Sequence, residues 1–203
     1  IYERKTSSNR KWNEWSKNHR RPFRNRYDIT IYGEEPHVNY NRIMLSYILS
    51  QEKTFEDTII NHQSWYEQNN ITLHKGDKIV SINKKDKTIK SESGKTQSYD
   101  KLLIATGSTA FIPKTAGSEL GNVIAFRTKA DVDAIISTIR KEKTAVVVGG
   151  GLLGLEAAYG IAKHGIKTIL VHRSGSILSQ QLDSTGGGNY FKKILNLMEL
   201  NLN

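Results

Sequence analysis

An α/β fold with parallel strands is predicted by three observations near the middle of the chain. Ala145 to Val148 is a short apolar run of β-formers, it passes directly into Gly149-Gly-Gly-Leu-Leu-Gly154, and Leu152 to His164 has helical spacing closed by Gly165. A second strand, Thr168 to His172, completes a βαβ unit. The glycines fit G-x-G-x-x-G, a weak pattern alone but a specific one where it follows a strand and opens a helix. The unit therefore reads as a Rossmann element for a dinucleotide.

The remaining elements alternate in the same way. Asp28 to Tyr32 reads as a strand, followed by the turn Gly33-Glu-Glu-Pro36. Helices are predicted around Arg42 to Leu49 and Thr54 to Asn69. Ile71 to Leu73, Lys78 to Asn83 and Thr88 to Ser91 are short strands, the last two forming a hairpin across Lys84-Lys-Asp-Lys87. Leu102 to Ala105 is a short apolar strand ending in Thr106-Gly107. Phe111-Ile-Pro113 reads as an extended crossing, which places a domain boundary near Pro113, and Asp131 to Arg140 has helical spacing.

Composition narrows the chemistry. The 203 residues contain no cysteine, which excludes a thiolate nucleophile, a redox-active cysteine pair and any cysteine-held iron–sulfur cluster or zinc within them. No run reaches the roughly 18 apolar residues that span a bilayer, and the first residues are too charged for the apolar core of a signal peptide. The expectation is a cytoplasmic globular protein with no membrane contact. The net charge of +10 is unevenly spread: residues 1–26 hold nine Lys or Arg and two Glu, or +7, leaving +3 for the other 177. The body is close to neutral, which argues against a nucleic-acid partner.

In the glycine loop, Gly149 permits the tight turn, Gly151 lets the backbone approach a pyrophosphate and Gly154 lets the helix pack closely on the strand. Gly150 lies between them on the same loop. The second strand is expected to end in an acidic residue that grips the ribose 2′-hydroxyl of NAD, yet His172 and Arg173 stand there. The basic pair fits the 2′-phosphate of NADP or the start of a solvated loop. Glu156, on the first turn of the new helix, faces the nicotinamide or complements the helix dipole. The sequence leaves both choices open.

Tyr99-Asp-Lys-Leu-Leu-Ile-Ala-Thr-Gly107, placed ahead of a G-x-G-x-x-G, resembles the second flavin motif of two-dinucleotide flavoprotein reductases. Within that superfamily, Ile31-Tyr-Gly-Glu-Glu-Pro-His-Val-Asn-Tyr-Asn-Arg-Ile-Met-Leu-Ser46, Trp65-Tyr-Glu-Gln-Asn-Asn-Ile-Thr-Leu-His74, Gly150-Gly-Leu-Leu-Gly-Leu-Glu-Ala-Ala158 and Gln181-Leu-Asp183 resemble the large subunit of assimilatory NAD(P)H nitrite reductase. The similarity runs from Tyr27 to about Met198. It implies a Rossmann-like two-dinucleotide-binding fold of the glutathione-reductase kind, truncated. Residues 27–112 would be part of an FAD-binding domain and residues 113–203 part of an NAD(P)-binding domain. Related ferredoxin-type reductases carry Pro and Lys where Ile43 or Met44 and Tyr47 lie here, a departure that favours the nitrite reductase branch and leaves the flavin-contacting lysine without a counterpart.

The resemblance implies Glu35 on the adenosine ribose of FAD, Arg42 near the flavin, Ala105, Thr106 and Gly107 along the FAD, and Arg127 close to the cofactors. Each also has a local reading, as turn chemistry for Glu35, a helix surface charge for Arg42, a strand terminus for Thr106-Gly107 and a solvated loop residue for Arg127. The implied activity is transfer of hydride from NAD(P)H to FAD. Electrons then pass to iron–sulfur and sirohaem centres on sequence absent from this chain, in downstream acceptor domains or a small subunit. The alternatives are a stand-alone reductase of a small iron–sulfur protein and an inactive fragment. NADH or NADPH preference and a homodimer are left open.

The opening residues do not match the rest. Trp12 and Trp15 stand among basic residues with neither helical nor strand period, and no strand with a first G-x-G-x-x-G precedes Asp28. Read from the second base of each codon, the joins Trp12/Asn13 and Trp15/Ser16 are forced to glycine and Arg10/Lys11 permits a third. Residues 1 to 24 are therefore expected to be an out-of-frame translation of the FAD phosphate motif, the alternative being a basic arm for nucleic acid. Met198 to Asn203 invites the same reading, since the other frame permits Gly-Ile-Glu-Phe-Lys.

Overall fold

The computed structural model describes residues 2–3, 27–173, 176–190 and 201–202. The basic stretch with Trp12 and Trp15, and most of the Met198 to Asn203 segment, lie outside them. The chain forms two compact units, residues 1–42 with 59–109, and residues 43–58 with 110–203.

The first unit is built on a parallel sheet in the order β3-β2-β1-β7. Here β1 is Tyr2–Glu3, β2 Ile29–Gly33, β3 Ile71–Lys75 and β7 Ile104–Ala105. Strands β2 and β3 pair from Ile29 opposite Ile71 to Gly33 opposite Lys75. Ile31 and Tyr32 are buried in β2, where an apolar β-branched and aromatic pair suits a sheet covered on both faces. Tyr2 of β1 pairs with both Tyr32 and Ile104 through backbone groups, and a two-residue strand leaves no periodic signature in sequence.

A second, antiparallel sheet joins β4 (Ile79–Asn83), β5 (Thr88–Ser91) and β6 (Thr96–Ser98). The expected hairpin is present. Asn83 Oδ1 accepts from the amides of Lys85 at 3.0 Å and Asp86 at 3.1 Å, and Lys87 takes a positive φ of 48°. Tyr32, Ile79 and Ile89 form the core here, with Tyr99 and Leu102 packed against it. Asp77, 7% exposed, accepts from Ser93 through its backbone N–H and its hydroxyl.

The helix expected over Thr54 to Asn69 is shorter. A 3-10 turn covers Glu56–Thr58, and helix α2 covers Gln63–Gln68 only. Asp57 Oδ2 binds the Thr54 amide and hydroxyl, closing a local turn, and Tyr40 makes a β-bridge with Ile59 that holds the chain extended. Asn61 is claimed by Asn39 at 3.1 Å.

In the second unit, helix α1 is Leu45–Leu49, preceded by a 3-10 turn at Arg42–Met44, and α3 is Lys129–Ile139. A three-stranded parallel sheet runs β10-β9-β8, with β8 Thr144–Val148, β9 Lys167–Val171 and β10 Asn201–Leu202. Between β8 and β9 lies α4, Leu152–Ala162, and Gly165 at φ 74° turns the chain back. Ala158, Leu170 and Ile177 make the core, with Val147, Leu155 and Ala162 against it. Among the described residues no helix is long and apolar enough to cross a membrane.

Candidate dinucleotide site

The predicted site residues divide between the two units. Glu35, Arg42, Ala105, Thr106 and Gly107 belong to the first, and Arg127, Gly149, Gly150, Gly151, Gly154, Glu156, His172 and Arg173 to the second.

In the first unit, Glu3 of β1 pairs with Gly33 on one side and Ala105 on the other. Glu35 and Thr106-Gly107 therefore leave the same, carboxyl edge of the parallel sheet, where open α/β sheets bind ligands. Tyr40, 3% exposed, donates its phenol O–H to Glu35 Oε2 at 2.8 Å, which fixes the carboxylate. Gly107 has φ 69°, a backbone state that favours glycine. Arg42 begins the 3-10 turn ahead of α1.

In the second unit the glycine loop joins β8 to α4. Gly149 has φ 125° and continues the ladder by donating to Val171 O at 2.8 Å. A Cβ on Gly154 would lie 1.8 Å from Gly149 O, so the helix can approach the strand end only without one. A Cβ on Gly151 would meet nothing within 4 Å, which leaves that position open to a ligand. Gly151 is the N-cap of α4 and has no side chain with which to cap the first amides of the helix, the end whose dipole favours an anion.

Gly150 has a role the motif does not assign. Its N–H donates to His172 Nδ1 at 3.0 Å, and a Cβ there would sit 2.7 Å from His172 Cγ and 2.8 Å from Ile177 Cγ2. Leu178 donates to Gly150 O at 2.8 Å, and Ile177 to Gly187 O at 3.2 Å, so the segment after β9 backs the loop. Arg173 is exposed just beyond β9.

Glu156 falls after the first turn of α4, which holds no acidic residue, so its pairing with the helix dipole is lost. Burial pushes its carboxyl above the ordinary value, with a hydrogen bond from Ser46 pulling the other way. Arg127 precedes the cap of α3. Its amide and that of Thr128 both donate to Asp131 Oδ2, at 2.9 and 2.7 Å, and Thr128 Oγ1 accepts from the Asp131 amide at 3.0 Å, a capping box. Sequence reasoning missed Ser46, Tyr40 and the Gly150 contact, none of which has a local pattern. Among the described residues no group of three or more His, Cys, Asp or Glu could hold a metal ion.

Residues 16–196 match the family described as pyridine nucleotide-disulphide oxidoreductase. The chain belongs to this family. It is 40% identical to nitrite reductase [NAD(P)H] of Bacillus subtilis over 161 residues, 79% of this chain and 20% of that protein. It is 39% identical to the assimilatory nitrate reductase electron transfer subunit of the same organism, over 80% of this chain and 21% of that one. Among solved structures, NADH:rubredoxin oxidoreductase of Clostridium acetobutylicum superposes with a TM-score of 0.77 at 29% identity, covering 86% of this chain and 45% of that one. The chain spans about a fifth of the length of the curated relatives it matches. Family membership bears out the expected two-dinucleotide fold, the oxidoreductase class and the cofactor pair of FAD and NAD(P)H. The disulphide chemistry in the family description has no cysteine to act through in these 203 residues.

Proposed function

We propose that this chain is a flavin and pyridine-nucleotide module of a nitrite-reductase-type NAD(P)H oxidoreductase. The observation that carries the reading is the Gly149–Gly154 pair: a Cβ on Gly154 would lie 1.8 Å from Gly149 O, so only glycine lets the start of α4 come this close to the end of β8. Residues 113–203 are assigned to the NAD(P) and residues 27–112 to the FAD. When bound, the nicotinamide supplies a hydride and the flavin takes it up and releases electrons one at a time.

The residues of this chain bind and orient. Gly151 and the first amides of α4 hold the pyrophosphate, and Arg173 at the end of β9 meets the adenosine end of the nucleotide, with no carboxylate there to repel a 2′-phosphate. Glu156, whose carboxyl burial raises above its ordinary value, is assigned to the nicotinamide end of the nucleotide. Glu35, held by Tyr40, takes the FAD ribose, and Ala105 to Gly107 run along the FAD. Arg42 is assigned to the flavin and Arg127 to the bound cofactors. Electrons leave to iron–sulfur and sirohaem centres on partner sequence, as in an electron transfer subunit, in the cytoplasm.

Isothermal titration of the 203-residue chain with NADH and with NADPH tests this reading. Saturable one-to-one binding of at least one of them is expected. Heat from neither nucleotide, with the chain folded by circular dichroism, would remove the proposal.

A further inference from the structure

The motif explains three of the four loop glycines and leaves Gly150, an unrestricted position in G-x-G-x-x-G, without a reason. The structure supplies one. The Gly150 N–H points at His172 Nδ1, 3.0 Å away, and the space a Cβ would need is filled by the His172 ring and Ile177. A ring nitrogen that accepts from an amide carries no proton, so this contact selects the tautomer with the proton on Nε2. A loop amide that donates into a side chain is not available to a phosphate, and the amides from Gly151 onward are the ones left for it.

We propose that His172 is a positioning residue for the pyridine-nucleotide loop. Its ring clamps Gly150 and thereby fixes which backbone amides face the pyrophosphate. This rests on the reading of the loop as the nucleotide site, and it reassigns His172 from the adenosine end of the ligand to the scaffold beneath its phosphates. The pyrophosphate is common to NADH and NADPH, so the clamp acts on both equally. A residue that read the 2′-phosphate would act on NADPH alone.

Two measurements on the full chain test the clamp. On uniformly ¹⁵N-labelled protein, a through-hydrogen-bond nitrogen–nitrogen coupling is expected between the Gly150 amide and His172 Nδ1. In titrations, His172→Leu is expected to weaken NADH and NADPH by the same factor, about tenfold, the scale of one lost hydrogen bond in an ordered loop. His172→Asn, whose Oδ1 takes the place of Nδ1 as acceptor, is expected to restore both to within about twofold. Absence of the coupling overturns the proposal, as does a His172→Leu loss confined to NADPH or an Asn variant no better than Leu. A coupling seen in a chain that binds neither nucleotide supports the clamp and removes the functional reading on which the site was named.

Discussion

Gly154 and Gly149 stand so close that a Cβ on the first would lie 1.8 Å from the carbonyl oxygen of the second, whereas a Cβ on Gly151, between them, would touch nothing within 4 Å. The two substitutions to alanine therefore separate fold from binding. Gly154→Ala is expected to cost about 3 kcal/mol or more, because the obstructing atom is backbone and cannot rotate away. Gly151→Ala is expected to leave thermal unfolding unchanged and to weaken NAD(P)H. Circular dichroism melting beside nucleotide titration distinguishes them, and equal melting losses would contradict the assignment.

Inside α4, alanine is normally preferred to glycine by about 1 kcal/mol. Gly160 is expected to reverse that sign. A Cβ there would lie 2.7 Å from Leu49 Cγ of α1, so Gly160→Ala should destabilise by about 1–3 kcal/mol. Combined with Leu49→Ala it should do less harm than the sum of the single changes, by about 1 kcal/mol. An additive double mutant would mean that the two helices do not meet at this notch.

Burial raises the Glu156 carboxyl above its reference value of 4.5. The folded state then holds the proton more tightly than the unfolded one, so this residue's contribution to stability is full below 4.5 and is lost as pH rises through the raised folded value. Glu156→Gln is expected to match the unaltered chain in acid and to exceed it at neutral pH. Denaturant titrations across that range would show a constant difference if the side chain were solvated.

Asp77 goes the other way. Burial opposes its ionisation, yet hydrogen bonds from Ser93 and Ser91 outweigh that and hold its pKa below 3.8. Its contribution is present above 3.8 and disappears as pH falls through the lowered value. Ser93→Ala should narrow that acid-side loss, followed by amide exchange in the β4–β6 sheet.

Much of this was legible locally. Strand β8, the glycine loop, α4 and β9 were read within a residue or two, because strand, loop and helix each leave a contiguous signature. Thr88 to Ser91 was read outright. What escaped depends on residues distant in sequence. The helix expected over Thr54 to Asn69 ignored Tyr40, whose bridge to Ile59 interrupts it. Strand β6 escaped because Thr96–Ser98 is polar and exposed throughout, with no apolar alternation to mark it. The membership of residues 43–58 in the second unit could not be read either, since it rests on contacts such as Leu49 against Gly160. At the site, the glycine roles follow from backbone geometry, which the motif encodes. The partners of Gly150, Glu35 and Glu156 are side chains brought in by the fold, and no spacing rule names them.

The most direct test of the central claim follows the backbone amides of ¹⁵N-labelled chain during titration with NADH and with NADPH. The account predicts saturable shifts concentrated on Gly149 to Leu155 and at the end of β9 around Arg173. Saturable binding whose shifts leave the Gly149–Gly154 loop untouched would contradict it.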